Sequence, residues 1–505
     1  MGCIATVVGG GTPDTGRPDY FGGGVAWLTP ADLSGYTSKL ISGGSRSLTR
    51  AGYEHSGAQL LPEGSVLFSS RAPIGYVAIA AAPVATNQGF KSFVLETGLK
   101  PDFIYYYLQH AKPFAMALAS GTTFPEISGK KAALILVPVP PTSEQERIAD
   151  ALDEVLSDLD VGVANLERVR DRLTLYRASV LKAAVEGTLT EEWRAEHPNT
   201  EAASESLERI LVERRRQWES ARIAKFDAKG QEPPKSWKGK YREPATPDTA
   251  GLSSLPDGWC WSTLDQLTWH AGYGTSEKCR ETNTGLPVLR IPNVVRGSLD
   301  LQKMKFAPSS YIARDEDLVR KGDLLVVRTN GSRTLIGRGA VIRHPFPEPM
   351  SFASYLIRLR LVPCTALLDW IGVLWESVLV RRWIESHAAT SAGQFNINLQ
   401  VLQSLAVPLP PPAEQEAIVD LIEDQLSVVD HLEFEIQAKL NSVYSLRKSI
   451  LHRAFTGQLV PQDPNDEPAS ELLKRIAAER QTRCNGARQH SSTRRARRAS
   501  PRRQR

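Results

Sequence analysis

The chain has 505 residues, enough for two to four domains each with its own core. Its 41% hydrophobic and 23% charged content is that of an ordinary globular protein, and no apolar run approaches the ~20 residues of a membrane span. The net charge of +5 comes from the tail: residues 481–505 hold nine arginines and no acid, leaving −4 on the remainder, so total charge is no argument for a nucleic-acid partner.

Residues 1–136 open with MGCIATVVGGG, which lacks the basic start and long apolar stretch of a secretory signal. Short apolar alternations such as SVLFSS and YVAIAA, set among Gly and Pro, predict a mixed domain with several strands. GGGTPDTGRP is glycine-rich but contains no GxxxxGK[ST], so it is no nucleotide cradle.

Residues 137–224 read as a helical region. Pro140 and Pro141 block an earlier start, and Ser143 with Glu146 has the spacing of a capping box. Ile148, Leu152, Val155, Leu159, Val163, Leu166, Val169, Leu173, Tyr176 and Val180 then form one seam at steps of three and four. A helix of about 45 residues, roughly 65 Å long, has to bury such a seam against another helix.

Residues 225–256 are polar and Pro/Gly-rich, a linker. A second mixed domain follows at 257–406, and a second helical region at 407–480 carries a seam from Ile418 through Ile422, Leu426, Val429, Leu432, Ile436, Leu440, Val443 and Leu446 to Ile450. The arginine tail from 481 is expected to be disordered. By segment, residues 1–135 carry a net +2 and residues 258–405 a net +5, compatible with DNA contact without establishing it.

The strongest signal is internal duplication. Val137–Thr190 returns without a gap as Val407–Val460, 270 positions later: Pro138, Pro140, Pro141, Glu144, Gln145, Glu146, Ile148 and Asp150 match Pro408, Pro410, Pro411, Glu414, Gln415, Glu416, Ile418 and Asp420. After a four-residue deletion the match resumes, with Ala203, Ile210 and Arg214 against Ala469, Ile476 and Arg480. The mixed domains resemble each other in plan only. Similar helices joined to dissimilar globular parts imply shared assembly and two different things being read.

Chemistry of its own is not indicated. Cys3, Cys260, Cys279, Cys364 and Cys484 are scattered, with no CxxC pair, as for free thiols in a reducing cytosol. There is no Asn/Asp-Pro-Pro-aromatic loop for a flipped adenine and no acidic nuclease cluster, and His110, His344 and His387 lack partners at ligand spacing. No catalytic or metal-binding residue is assigned.

The PxPPxxEQxxI element at 138–148 and 408–418 carries a family resemblance. So do LPDGWCWSTLDQL at 255–267, GGGTPDTGRPDYFGGGVAWLTPADL at 9–33 and LPVLRIPNVVRGSLDL at 286–301. Together they resemble the DNA-specificity subunit of type I restriction–modification systems, over the chain up to about residue 480. The resemblance implies an α+β fold: two mixed α/β target recognition domains separated by a long antiparallel helical coiled coil made of the two repeats. It also implies a cytoplasmic, non-catalytic subunit that reads a bipartite double-stranded DNA target and docks methyltransferase and restriction/helicase subunits. Those partners would use S-adenosylmethionine, ATP and Mg2+, and this chain would bind no cofactor. Two departures stand out: by the family pattern the sequence begins inside the first domain, without a counterpart of LPDGWCW, and the arginine tail is extra.

Base reading needs polar side chains that reach base edges, with phosphate contacts setting register. Thr12, Arg71, Asn87, Gln88, Lys91, Thr122 and Thr123 are the candidates in the first domain, and Thr275, Arg328, Asn330, Arg333, Gln394, Asn396 and Asn398 in the second. The competing reading is solvated turn residues. Glu144, Gln145, Glu414 and Gln415 are candidates for partner docking or, alternatively, for starting the helices. Other functions compatible with the pattern are a coiled-coil scaffold for proteins and a methylation-only system.

Overall fold

The computed structural model describes residues 1–121, 125–282, 284–364, 366–391 and 393–498, with side chains at 391 and from 484 onward left aside. The chain forms two compact units, one of residues 1–167 with 437–505 and one of residues 168–436. Each combines a mixed α/β domain with parts of both repeat helices.

In the first unit a five-stranded sheet runs in the order Ala5–Gly9, Lys91–Leu95, Val66–Ser70, Ile74–Ala80, Leu40–Ile41. A smaller sheet places Phe21–Leu28 between Arg46–Leu48 and Ala85–Thr86, with the last pair parallel. Val66–Ser70 is buried along its whole length, its serines included, and the Ser69 and Ser70 hydroxyls donate to the Pro73 and Gly89 carbonyls. Phe68, Phe93, Phe103 and Ile104 build the core with Ile148, Leu152 and Leu156 of the first repeat helix and Ile450, Leu451 and Ala454 of the second.

The second unit repeats the plan. Thr268–Tyr273, Leu356–Leu361, Asp323–Val327 and Gly339–Val341 lie side by side in that order, and Pro287–Leu289 sits between Lys305–Phe306 and Ser351–Phe352, the latter pair again parallel. The topology is therefore shared where the sequences have diverged. Buried arginines replace part of the apolar filling: Arg360 holds Asp323 through Nε and Nη2 at 2.7 and 2.9 Å, and Arg358 lies 2.8 Å from His270 Nδ1. Burial, then the Arg358 and Arg360 charges, push the His270 imidazole down to about 4.

The repeat helices run Thr142–Glu186 and Pro412–Phe455. Each is followed by a left-handed glycine, Gly187 at φ +74° and Gly457 at φ +73°, which supplies the conformation that ends a helix at no Cβ cost. Within each unit the two helices lie antiparallel. In the first, Arg447 Nη1 donates to Asp160 Oδ1 at 2.6 Å; in the second, Arg177 donates to Asp430 and, at 3.3 Å, to Glu433. Arg177 and Arg447 are repeat mates, as are Asp160 and Asp430, so one salt bridge occurs twice.

Three expectations need correction. Val155, Val169, Tyr176, Leu432 and Leu446 are exposed, and Leu156 and Leu181 take the buried positions instead, because the contact face drifts around a helix of 3.6 residues per turn. The capping box is not made: Ser143 lies inside the helix and its hydroxyl donates to Asp466. The helix Ala469–Arg498 also continues into the segment expected to be disordered, no proline interrupting it before Pro501.

Candidate nucleic-acid interface

The structure gathers the first-domain candidates where the strands of the large sheet end. The Thr12 hydroxyl donates to Gln88 Oε1. Lys91 Nζ donates to the Gln88 carbonyl at 3.1 Å and lies 3.8 Å from Glu126, which is itself 3.7 Å from Arg71. The Asn87 side chain accepts the Gly89 N–H at 2.8 Å and so shapes the turn that presents the exposed Gln88. Thr122 and Thr123 lie outside the described residues.

The glycine-rich stretch serves this packing. A Cβ on Gly10 would sit 2.0 Å from the Asn87 carbonyl oxygen, and a Cβ on Gly274 would sit 2.0 Å from that of Phe352. Only glycine lets these backbones meet.

In the second domain the candidates surround a small sheet of Thr329–Asn330, Gln394–Asn396 and Ala389–Ser391. Arg328 lies over the Tyr273 ring at 4.5 Å, and the exposed Arg333 lies near the Phe395 ring at 5.9 Å. Thr329 Oγ1 donates to the exposed Gln394 at 3.3 Å, and the Asn330 side chain accepts from Ser332 N–H at 2.8 Å. Arg328 Nε and Asn396 Oδ1 are buried without a hydrogen-bond partner among the described residues. Thr275 is tied into the fold, its N–H on the Phe352 carbonyl at 2.8 Å and its hydroxyl accepting from Glu277 N–H at 3.1 Å.

Both sites are built on one frame. Ile127 N–H donates to the Ser70 carbonyl at 3.0 Å, and Ile397 N–H donates to the Arg328 carbonyl at 2.9 Å. Just beyond, Ser128 caps Gly129–Ala133 and Asn398 caps Leu399–Gln403. Ile127 and Ile397, like Ser128 and Asn398, are again 270 positions apart, so the duplication reaches back to the ends of the mixed domains.

Two sets of candidates serve the helix starts. The Asn398 side-chain oxygen accepts the Val401 N–H at 2.8 Å as a helix cap. Glu144, Gln145, Glu414 and Gln415 are all buried at the starts of the two repeat helices. Gln145 and Gln415 donate to the Pro140 and Pro410 carbonyls at 2.9 and 2.8 Å, closing the loop that leads into each helix. Sequence reasoning missed the aromatic partners: Tyr273, and Arg46, whose guanidinium lies 3.8 Å from the Phe21 ring centre. The sequence carries no signal for them, since the stacked residues are far apart along the chain.

Among the described residues no group of His, Cys, Asp and Glu could hold a metal ion, and no helix is long and apolar enough to cross a membrane. His110 packs on Phe455 and His387 on Trp383, with ring centres 5.4 and 4.3 Å apart.

Residues 2–166 match the family described as type I restriction modification DNA specificity domain. The chain is 28% identical to the type I restriction enzyme EcoKI specificity subunit of Escherichia coli strain K12, over 72% of this chain and 68% of that one. It is 38% identical to the MjaIX specificity subunit of Methanocaldococcus jannaschii, over 30% of this chain and 35% of that one. A chain from a solved type I R-M system structure covers 90% of this chain and 96% of itself at a TM-score of 0.54 and 16% identity, a likeness of fold. Residues 2–166 thus carry a type I restriction modification DNA specificity domain, and the chain as a whole is similar to type I restriction enzyme specificity subunits.

Proposed function

We propose that the chain is the DNA-reading subunit of a type I restriction–modification complex, each mixed domain reading one half of a bipartite duplex target. The observation that supports this most is the paired placement of unlike polar sets on one frame. Thr12, Arg71, Gln88 and Lys91 surround the Ser70–Ile127 junction, and Arg328, Asn330, Arg333, Gln394 and Asn396 surround the Arg328–Ile397 junction. Guanidinium and amide groups of this kind pair with guanine and adenine edges in the major groove. A common frame with different side chains reads different bases.

In this reading the chain contributes binding and no chemistry. Methyltransferase and restriction/helicase subunits dock on it in the cytoplasm and bring S-adenosylmethionine, ATP and Mg2+ with them. Sequencing the methylated adenines of the host with and without this gene tests the reading. One split motif should vanish on deletion; an unchanged methylation pattern contradicts it.

A further inference from the structure

The helix Ala203–Asp227 packs on the mixed domain of the second unit and is tied to it at two places. Near its middle the buried Arg214 donates from Nε to the Thr268 carbonyl at 2.8 Å and pairs with Asp265 at 3.2 Å. Near its end Lys225 pairs with Glu316. Ala221 and Ala224 lie between these ties and Ala228 one turn further on, at steps of three and four and so on one face, with no atom beyond Cβ. A pocket of about 810 Å³ opens against that face, within the size range of small-molecule sites, and the Trp269 indole forms part of its lining.

The buried part of the lining is rich in donors. Arg360, 8% exposed, spends Nε and Nη2 on Asp323 and the Leu318 carbonyl, and its Nη1 has no hydrogen-bond partner among the described residues. His270 lies beside it in the lining. A guanidinium only donates, so the Arg358 bond makes His270 Nδ1 the acceptor and leaves the ring proton on Nε2. That N–H is unpaired among the described residues.

Exposed cations surround the opening. Arg320 pairs with Asp315, and Arg314 with Glu316 and Asp317. Lys229 is exposed and has no ion-pair partner among the described residues. Five cations line the pocket against two carboxylates, Asp315 and Glu316, and the balance stays positive with Asp317 and Asp323 counted. None of the side chains proposed to read DNA lines it.

We propose that this pocket binds a small organic phosphate with a flat apolar body. The ring lies against the alanine face and Trp269, and the phosphate takes its hydrogen bonds from Arg360 Nη1, His270 Nε2 and Lys229. A partly built guanidinium contact, an N–H fixed by its tautomer and a free ammonium are the donors that a phosphate accepts from, and they are strongest where water is thin. A helix face kept down to alanine leaves room for the ring.

Calorimetric titration of the full chain with 1-naphthyl phosphate, 1-naphthol and inorganic phosphate tests this. The aryl phosphate should bind saturably, one per chain, and each half of it alone at least about tenfold more weakly. Lys229→Glu, at an exposed position, and Ala224→Trp, which fills the slot, should each weaken the aryl phosphate by at least about tenfold. Lys130→Glu, an equal charge reversal in the first unit, should leave its affinity unchanged. Unfolding of each variant without ligand checks that it is folded, and if Ala224→Trp is not, Lys229→Glu decides. Absence of saturable binding, equal affinity for either half, unaltered binding by the folded pocket variants, or an equal loss in Lys130→Glu would each overturn the assignment. So would displacement of the aryl phosphate by a duplex, which would make the pocket part of the DNA surface.

Discussion

Glu144 and Glu414 start equivalent helices at equivalent depth, and their surroundings differ completely. Glu414 is saturated by an indole, a hydroxyl and a guanidinium. Glu144 faces a cavity, and burial pushes its carboxyl above the usual carboxylate range. A duplicated helix start thus keeps its residues while its energetics change sign, because a buried carboxylate stabilises only when its lone pairs are used.

The sharpest way to break the comparison is to truncate both acids. Glu414→Ala leaves the Trp259 indole and the Thr190 hydroxyl without their acceptor and the Arg194 guanidinium without its counter-charge, and should cost about 3 kcal/mol in urea unfolding. Glu144→Ala should cost much less or stabilise. The raised pKa means the folded state holds the Glu144 proton more tightly than the unfolded one, so its ionisation costs stability as pH rises through the carboxylate range. Equal losses in the two variants would contradict the account.

The reading surfaces give the next largest effect. Arg71→Ala and Arg328→Ala should each lower affinity for the cognate duplex by about 2 kcal/mol and relax preference in one half-site only. Selections from randomised duplexes would show it, and relaxation of both halves by one substitution would refute the division. A smaller contrast separates the duplicated salt bridges. Arg177, 7% exposed between Asp430 and Glu433, should cost about 2 kcal/mol on change to Ala. Arg447, 31% exposed beside Asp160, should cost under about 1 kcal/mol.

A last contrast depends on pH. His270 is pushed down to about 4, chiefly by burial, so the unfolded chain takes up its proton first as pH falls. The second unit should lose stability between pH 6.5 and 4 and no further from this group below that. His270→Asn should flatten the decline.

The repeat helices were legible because period and duplication are local properties, and the prolines, glycines and seams stood in the letters. The limits of that legibility show at Leu156 and Leu181, which are buried although the seam passes beside them, because the contact face drifts around the helix. The shared topology of the mixed domains was only half visible, since strand order is held by backbone bonds that many sequences can make, and the equivalent caps use different side chains, Ser128 and Asn398. The sequence leaves Glu144 and Glu414 open between docking and helix start and does not show their burial, because acidic residues at a helix start usually are exposed. Nothing in the sequence places Trp259 over Glu414, 155 positions away. The same holds for Arg328 over Tyr273: a stack across a sheet edge leaves no periodic trace.

Exchange of residues 1–136 for the corresponding domain of a relative with a different target, followed by mapping of the methylated motif, tests the central claim most directly. The account predicts that one half of the motif changes and the other half stays. A motif changed in both halves, or in neither, would contradict it.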